Sequence, residues 1–211
     1  MFRETPESPR MFESDVVDFF SRVHWATVPA LYVPVSAFCA WRSWANGVSG
    51  WSVAGLFAIG FFLWTLAEYG LHRSLFHWRP AAAWGERFHF ILHGIHHDFP
   101  MDRLRLVMPP AASLFLLFFV FGPLFVFGLG ATGWALLSGF VVGYINYDLT
   151  HYYLHHAKPK SARMKKLRAH HMSHHFAGLE RKYGVSFMFW DHVFGTMEDP
   201  NQARKPHAPR A

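Results

Sequence analysis

A single cysteine, Cys39, stands in 211 residues, so no disulfide closes within the chain and no thiolate cluster can hold a metal. Charge is also scarce, at 16% of residues, and it is missing from four long apolar runs. Four uncharged stretches of that length argue against a soluble helical bundle. No glycine-rich nucleotide loop, serine elbow or thiol triad occurs, which removes nucleotide-driven and simple nucleophilic chemistries from consideration. The first twenty residues contain no apolar segment of the cleavable type, so no signal peptide is expected to be removed.

What the chain does contain is 52% hydrophobic residues, among them 23 Phe and 9 Trp, crowded into those runs. The first, Trp25 to Trp41, is punctuated by Pro29 and Pro34 and reads as a kinked span. The second, Trp51 to Ala67, flows into Glu68, Tyr69 and His72; the third, Ala111 to Leu129, starts hard after Pro109-Pro110. A tight Gly128-Leu129-Gly130 connection leads to the fourth, Ala131 to Ile145. Each approaches the ~20 residues that cross ~30 Å of hydrocarbon. Residues 11–24 add a rough apolar stripe, expected to form a helix lying in the membrane interface.

The net charge of +6 first suggests nucleic acid, but the basic residues flank the runs, where anionic headgroups attract them, so no nucleic-acid partner is expected. With an even number of spans, nineteen of the twenty Lys and Arg residues share one side with both termini and the long middle loop. The positive-inside rule makes that side the cytoplasm.

Sixteen histidines are present, fourteen of them between His72 and His192. Ten fall into four groups: His72 and His77; His93, His96 and His97; His151 and His155; His171, His174 and His175. Positions three and four apart share a helix face, so each triple is expected to point one way. His72 and His77, five apart, need the helix to end or tighten between them. Neutral packed imidazoles would each need a hydrogen-bond partner and charged ones would repel, whereas a metal resolves both problems. Ten ligands exceed the capacity of one ion, so two are expected, and a nitrogen set this large exceeds the three ligands of a hydrolytic zinc site. Glu68, Asp148 and Asp98 are placed to accept ring N–H groups from His72, His151 and His97. Asp191 and His192 lie in an aromatic run, Phe189 to Thr196, read as an amphipathic helix that returns to the membrane and caps the site without His192 acting as a ligand. A haem protein would need histidines within opposed spans, and a metal transporter polar ligands at mid-membrane; these runs offer neither.

The motifs Glu68-Tyr69, His72-Arg73-Ser74-Leu75-Phe76-His77, His93-Gly94-Ile95-His96-His97, Arg105-Leu106-Val107-Met108-Pro109-Pro110, Asp148-Leu149-Thr150-His151-Tyr152-Tyr153-Leu154-His155-His156 and His171-Met172-Ser173-His174-His175 resemble the integral-membrane fatty acid hydroxylase superfamily. The branch they resemble is the fatty acid 2-hydroxylases of sphingolipid acyl chains, over about residues 60–196. The resemblance implies catalytic metal ligation by His72, His77, His93, His96, His97, His151, His155, His171, His174 and His175, with His89, His156 and His170 adjoining but unassigned. It implies two Fe ions, replaceable by Zn on purification, that use O2 to hydroxylate C2 of a fatty acyl chain. Sterol or carotenoid substrates of the same superfamily stay open, because pocket shape rather than histidine spacing decides between them. Many eukaryotic members carry a fused cytochrome b5 domain. Here only about twenty-four residues precede the first run, so a separate donor, a cytochrome b5-like protein or ferredoxin, is expected.

The expected fold is therefore all-α: a four-helix transmembrane bundle with a cytosolic histidine-rich helical cap holding a dinuclear metal site. Its parts are an interfacial segment (1–24), a membrane hydroxylase domain (25–200) and a disordered polar tail (201–211). The lipid would enter from the bilayer of a bacterial inner membrane, or of the endoplasmic reticulum in a eukaryote. Arg103 and Arg105 are candidates to hold its head, against the alternative of solvated loop charges.

Overall fold

The computed structural model describes residues 8–126, 128–176 and 180–197; the polar tail and the boundary drawn at residue 200 lie outside the described residues. Those residues form helices and no strand. The apolar runs become α2 (Thr27–Ala45), α3 (Gly50–Leu71), α6 (Pro110–Val126) and α7 (Gly130–His156). Helix α6 starts on Pro110, where the missing N–H costs nothing. The turn before α7 closes because Gly128 and Gly130 both take positive φ, 106° and 51°. Helix α7 overruns the expected end at Ile145 by three turns and delivers His151 and His155 from its last segment. The interfacial stripe is shorter than expected: only Asp15–Phe20 (α1) is helical, capped by Ser14. A single continuous helix among the described residues, Gly50–Phe76, is long and apolar enough to cross a bilayer by itself, and Pro110–Pro123 is a shorter apolar helix.

Helices α3 and α7 approach until their backbones touch. A Cβ on Gly139 would stand 1.9 Å from the Phe57 carbonyl oxygen, and one on Gly60 would stand 2.0 Å from that of Leu136. Only glycine permits that crossing. Helix α2 adds polar contacts to α7: the Ser36 and Ser138 hydroxyls lie 3.0 Å apart, and the Ser43 hydroxyl donates to the Ala131 carbonyl at 2.8 Å. Tyr32, fully buried, stacks edge-on against Tyr144 at 5.0 Å and shares a 2.5 Å hydrogen bond with Ser113 of α6.

At one end of these long helices sit the short helices α4 (Gly85–His89) and α5 (Ile95–Asp98), the long α8 (Ala162–Phe176) and the short α9 (Phe189–Val193). Helix α9 is tied to α3 by the Trp190 indole N–H, which donates to the Thr65 hydroxyl at 3.0 Å. The N-terminal segment folds against the same end, and its Val23 N–H donates to the Leu104 carbonyl at 2.7 Å.

Candidate metal centre

Four helical elements carry the ten histidines to this end of the molecule. Helix α3 continues through a π turn, His72–Phe76, and another π turn, Phe90–Gly94, joins α4 to α5. The first explains the five-residue spacing. The helix widens there, and the i→i+5 period brings His72 and His77 together where an α-helix would splay them.

The ten imidazoles gather in two groups of five: His72, His77, His93, His97 and His174; and His96, His151, His155, His171 and His175. Within each, the candidate ligand atoms lie within 4.8 Å of one another. The expectation that each triple points one way is corrected. Residues four apart share a group, as His93 with His97 and His171 with His175, while His96 and His174 cross to the other group. The two groups abut where the His97 and His175 rings stack at 4.3 Å. His192 is exposed and in neither group, His170 binds Asp191, and His89 and His156 also stand apart from both.

The ring nitrogens show why these groups suit a cation. His72 Nδ1–H donates to the Tyr183 carbonyl at 2.6 Å and His174 Nδ1–H to that of Arg181 at 2.7 Å. In the neutral rings this leaves a lone pair on each Nε2, aimed at His93 Nε2 (3.1 Å) and His77 Nε2 (3.0 Å) respectively. In the second group a chain of Nε2 atoms runs from His155 to His171 (2.8 Å), to His175 (3.1 Å) and to His96 (3.0 Å). A ring nitrogen donates or accepts, never both, so hydrogen bonds cannot satisfy that chain. Nδ1 of His155, His171 and His175 and both ring nitrogens of His151 are buried without a partner. Two nitrogens bound at ~2.1 Å to one ion at right angles stand about 3.0 Å apart, which matches these contacts. The residues present fit two nitrogen-ligated metal ions.

Protons do not substitute for the metal. Burial first, then neighbouring imidazoles, hold His93, His96, His97, His171 and His175 well below the ordinary histidine range. Burial and the His174 ring bring His77 down to about 3; burial outweighs the Arg181 carbonyl and brings His174 down to about 4. The unfolded chain, with ordinary histidines at 6.5, binds more protons than the folded one in this window, so stability is present above pH 6.5 and is lost as pH falls toward 4. The metal-free protein is therefore expected to melt at progressively lower temperature through that interval, and metal to be released in parallel. Circular dichroism melts alongside metal analysis at each pH check this; a flat profile would contradict it.

The carboxylates hold the frame rather than the ligand rings. Glu68 Oε1 accepts the backbone N–H groups of Val185 (2.9 Å) and Ser186 (2.7 Å), not a His72 N–H. Asp148 Oδ2 accepts the Met108 N–H at 3.3 Å, not a His151 N–H, and Asp98 is exposed. Asp191, fully buried, is the anchor that spacing did not reveal. It accepts from Tyr183 N–H (2.8 Å), Gly184 N–H (2.8 Å), the Thr196 hydroxyl (2.7 Å) and His170 Nε2–H (3.0 Å). Burial alone would raise its carboxyl, but His170 and these donors outweigh burial and hold it below its ordinary range. A charged residue inside an aromatic run was the available signal, since it must find partners.

Beside the histidines lies a cavity of about 330 Å³, with His93 of one group and His96 and His151 of the other in its wall, together with Asp148 and Arg105. Its lining is otherwise mostly apolar. Met108 and Leu116 also line a second, apolar cavity of about 280 Å³ between α3, α6 and α7. Arg105 is no solvated loop charge: its side chain is 2% exposed and pairs with Asp18 at 2.9 Å, whereas Arg103 is exposed.

Residues 57–196 match the family model described as fatty acid hydroxylase. The chain is 40% identical over 201 residues to the dihydroceramide fatty acyl 2-hydroxylase FAH1 of Arabidopsis thaliana, covering 95% of this chain and 85% of that one. It is 35% identical to the fatty acid 2-hydroxylase of Homo sapiens, with 94% of this chain matched to 58% of the human protein. A solved structure titled full-length scs7p, with only its hydroxylase domain visible, superimposes with a TM-score of 0.83 at 35% identity, over 92% of this chain and 73% of that one. Sequence match, fold and paired histidine groups agree: the chain belongs to the fatty acid hydroxylase family.

Proposed function

We propose that this protein is an oxygen-dependent hydroxylase of C2 in the fatty acyl chain of a membrane lipid. The observation that carries the reading is the cavity: histidines of both groups meet at its mostly apolar wall, and a second, apolar cavity lies on the other side of Met108 and Leu116. The overall change is a C–H bond converted to C–OH, with one atom of O2 retained, the other leaving as water, and two electrons and two protons consumed. Side chains alone cannot oxidise such a bond; two iron ions, held by His72, His77, His93, His97 and His174 and by His96, His151, His155, His171 and His175, would supply the oxygen activation and the one-electron steps.

The chain's own residues bind and orient. The carbonyls of Tyr183 and Arg181 fix the tautomers of His72 and His174, so that their Nε2 lone pairs face inward. Leu106, Val107 and Met108 line the first cavity and give an acyl tail a dry wall, and Val120 and Phe140 line the second apolar cavity, which shares Met108 and Leu116 with the first. Asp148 offers an acceptor beside His151 for the N–H of an amide head. Two modest apolar cavities that share Met108 and Leu116 as wall suit a flexible chain better than the broad rigid ring system of a sterol.

The same reading makes the four long helices a transmembrane bundle, with residues 25–200 as the hydroxylase domain, residues 1–24 as an interfacial segment and the cap on the cytoplasmic side. Support comes from the distribution of Lys and Arg and from the large apolar side chains left facing outward, among them Trp51, Ile59, Phe62, Phe115 and Phe118. Electrons would come from a separate cytochrome b5-like protein or ferredoxin. Helix α8 presents exposed Arg163, Lys165 and Lys166 on the helix whose inner face carries His171, His174 and His175, a suitable landing surface for an acidic donor. Charge reversal, Lys165→Glu with Lys166→Glu, is expected to raise the KM for the donor at low salt, with the difference shrinking as salt screens it; an unchanged KM at low salt would remove α8 as the landing surface.

The reaction is tested with iron-loaded protein, a reducing partner, oxygen-18 gas and a mixed lipid extract, followed by fragmentation of the products. Label at C2 of an acyl chain is expected. Label confined to a sterol or carotenoid ring would overturn the substrate, and metal-dependent hydrolysis without label would overturn the reaction class.

A further inference from the structure

The N-terminal segment is built into the cavity rather than laid beside it. Met11, 7% exposed, and Phe12 line the same cavity as His93, His96 and His151. A latch holds them there. Asp18 Oδ1 accepts the Met11 N–H at 2.7 Å and the Phe12 N–H at 3.3 Å. The same oxygen accepts from Arg105 Nη2 at 2.9 Å, while Arg22 grips Oδ2 at 2.9 Å. Arg105 also donates to the Ser21 hydroxyl (2.7 Å) and the Pro9 carbonyl (2.7 Å), so one buried guanidinium bridges both ends of the segment. From the other side Arg87 donates to the Met11 carbonyl, and its guanidinium lies 5.8 Å from the Phe12 ring.

A loop that only covered the surface would not need a buried cation paired to a buried carboxylate, because removing two charges from water is costly unless their geometry is enforced. Here the enforced geometry positions two apolar side chains against the histidine-lined cavity. We propose that residues 9–23 form a latched wall of the substrate site, in which Met11 and Phe12 contact the lipid beside the reacting carbon, and the Asp18–Arg105 pair keeps them closed over it. The proposal rests on the acyl-lipid reading above. The helix carried by the segment, α1, leaves Val16, Phe19 and Phe20 exposed, so the wall sits on an apolar surface through which lipid can enter when the latch opens. Met11 and Phe12 are then selectivity residues, and Asp18 and Arg105 are positioning residues that act through them.

Trypsin cuts after Arg10 and Arg22, so both wall residues fall in one peptide, Met11 to Arg22. The full-length protein in lipid nanodiscs is irradiated with a ceramide bearing a diazirine in its acyl chain, digested and analysed by mass spectrometry. Label is expected on that peptide and on the peptide beginning at Leu106, with both competed away by unlabelled ceramide. Phe12→Ala is expected to raise KM about tenfold with kcat and metal content unchanged. Asp18→Asn is expected to weaken labelling of the Met11–Arg22 peptide and raise KM in the same way; should that variant fail to fold, the Phe12→Ala kinetics and the labelling of the parent protein decide. Label on the Leu106 peptide without label on Met11–Arg22, or an unchanged KM in Phe12→Ala, overturns the wall while leaving the hydroxylase intact. No label on either peptide, together with no oxygen-18 incorporation, overturns the acyl-lipid reading itself.

Discussion

A His174→Ala chain is expected to fold, to hold about one metal ion where the parent holds two, and to form no hydroxylated lipid. His174 and His175 are consecutive in sequence yet belong to different groups. The substitution therefore removes one imidazole from the group with His72, His77, His93 and His97, along with the Nδ1 bond to the Arg181 carbonyl, and spares the five histidines of the other. His175→Ala is the mirror case. Each variant should lose a different ion, and neither should retain turnover, because groups that act as a unit fail together when one is removed. Elemental analysis of iron-reconstituted protein, paired with lipid product analysis, reads both quantities. Full turnover in either variant, or two ions retained in both, would end the two-metal account.

The ten histidines that gather into the two groups were legible from spacing: positions one helical turn apart recur in three places, with an i+5 pair as a fourth, and few demands on a helix other than ligation produce that pattern. The division into two groups was not, because a triple such as His93, His96 and His97 spans more than one face. Only the surrounding helices decide that His96 turns toward His151 while His93 turns toward His72. The π turn at His72 was likewise hidden: an i+5 pair looks like poor α geometry until the helix is seen to widen. The apolar runs gave the long helices to within a few residues at most ends. They could not give the end of α7, whose polar segment from Asn146 to His156 stays helical with Tyr147, Asp148, His151, Leu154 and His155 buried and α8 packed against the helix. Most hidden of all were the distant polar pairs. Asp18 belongs to the polar side of the stripe at residues 11–24, Arg105 was a candidate for the lipid head or a solvated loop charge, and only the folded chain joins the two across 87 positions of sequence.

Asp191→Asn is the substitution outside the ligand set for which the largest effect is expected. The Asp191 carboxylate accepts four hydrogen bonds in a fully buried position. An amide has one acceptor oxygen and presents N–H groups where the other oxygen stood, so two of the four donors lose their partner. Breaking a buried charged network of this kind costs about 3–5 kcal/mol. The consequence travels to the metal centre along a short path. Asp191 holds the Tyr183 N–H, and the Tyr183 carbonyl holds the His72 ring; the same stretch of chain presents the Arg181 carbonyl to His174. Both anchored rings belong to the first group, whereas the second group has no bond to this segment among those described. Asp191→Asn is therefore expected to lower the melting temperature and to weaken metal binding at the first group by ~10–100-fold, the effect typical of losing a ligand's outer hydrogen-bond support. Metal titration resolved into two binding steps reads this directly, with one step weakened and the other near the parental value. Equal weakening of both steps would mean that Asp191 supports the cap as a whole, and unchanged binding would mean that the Tyr183 and Arg181 carbonyls hold their rings without it.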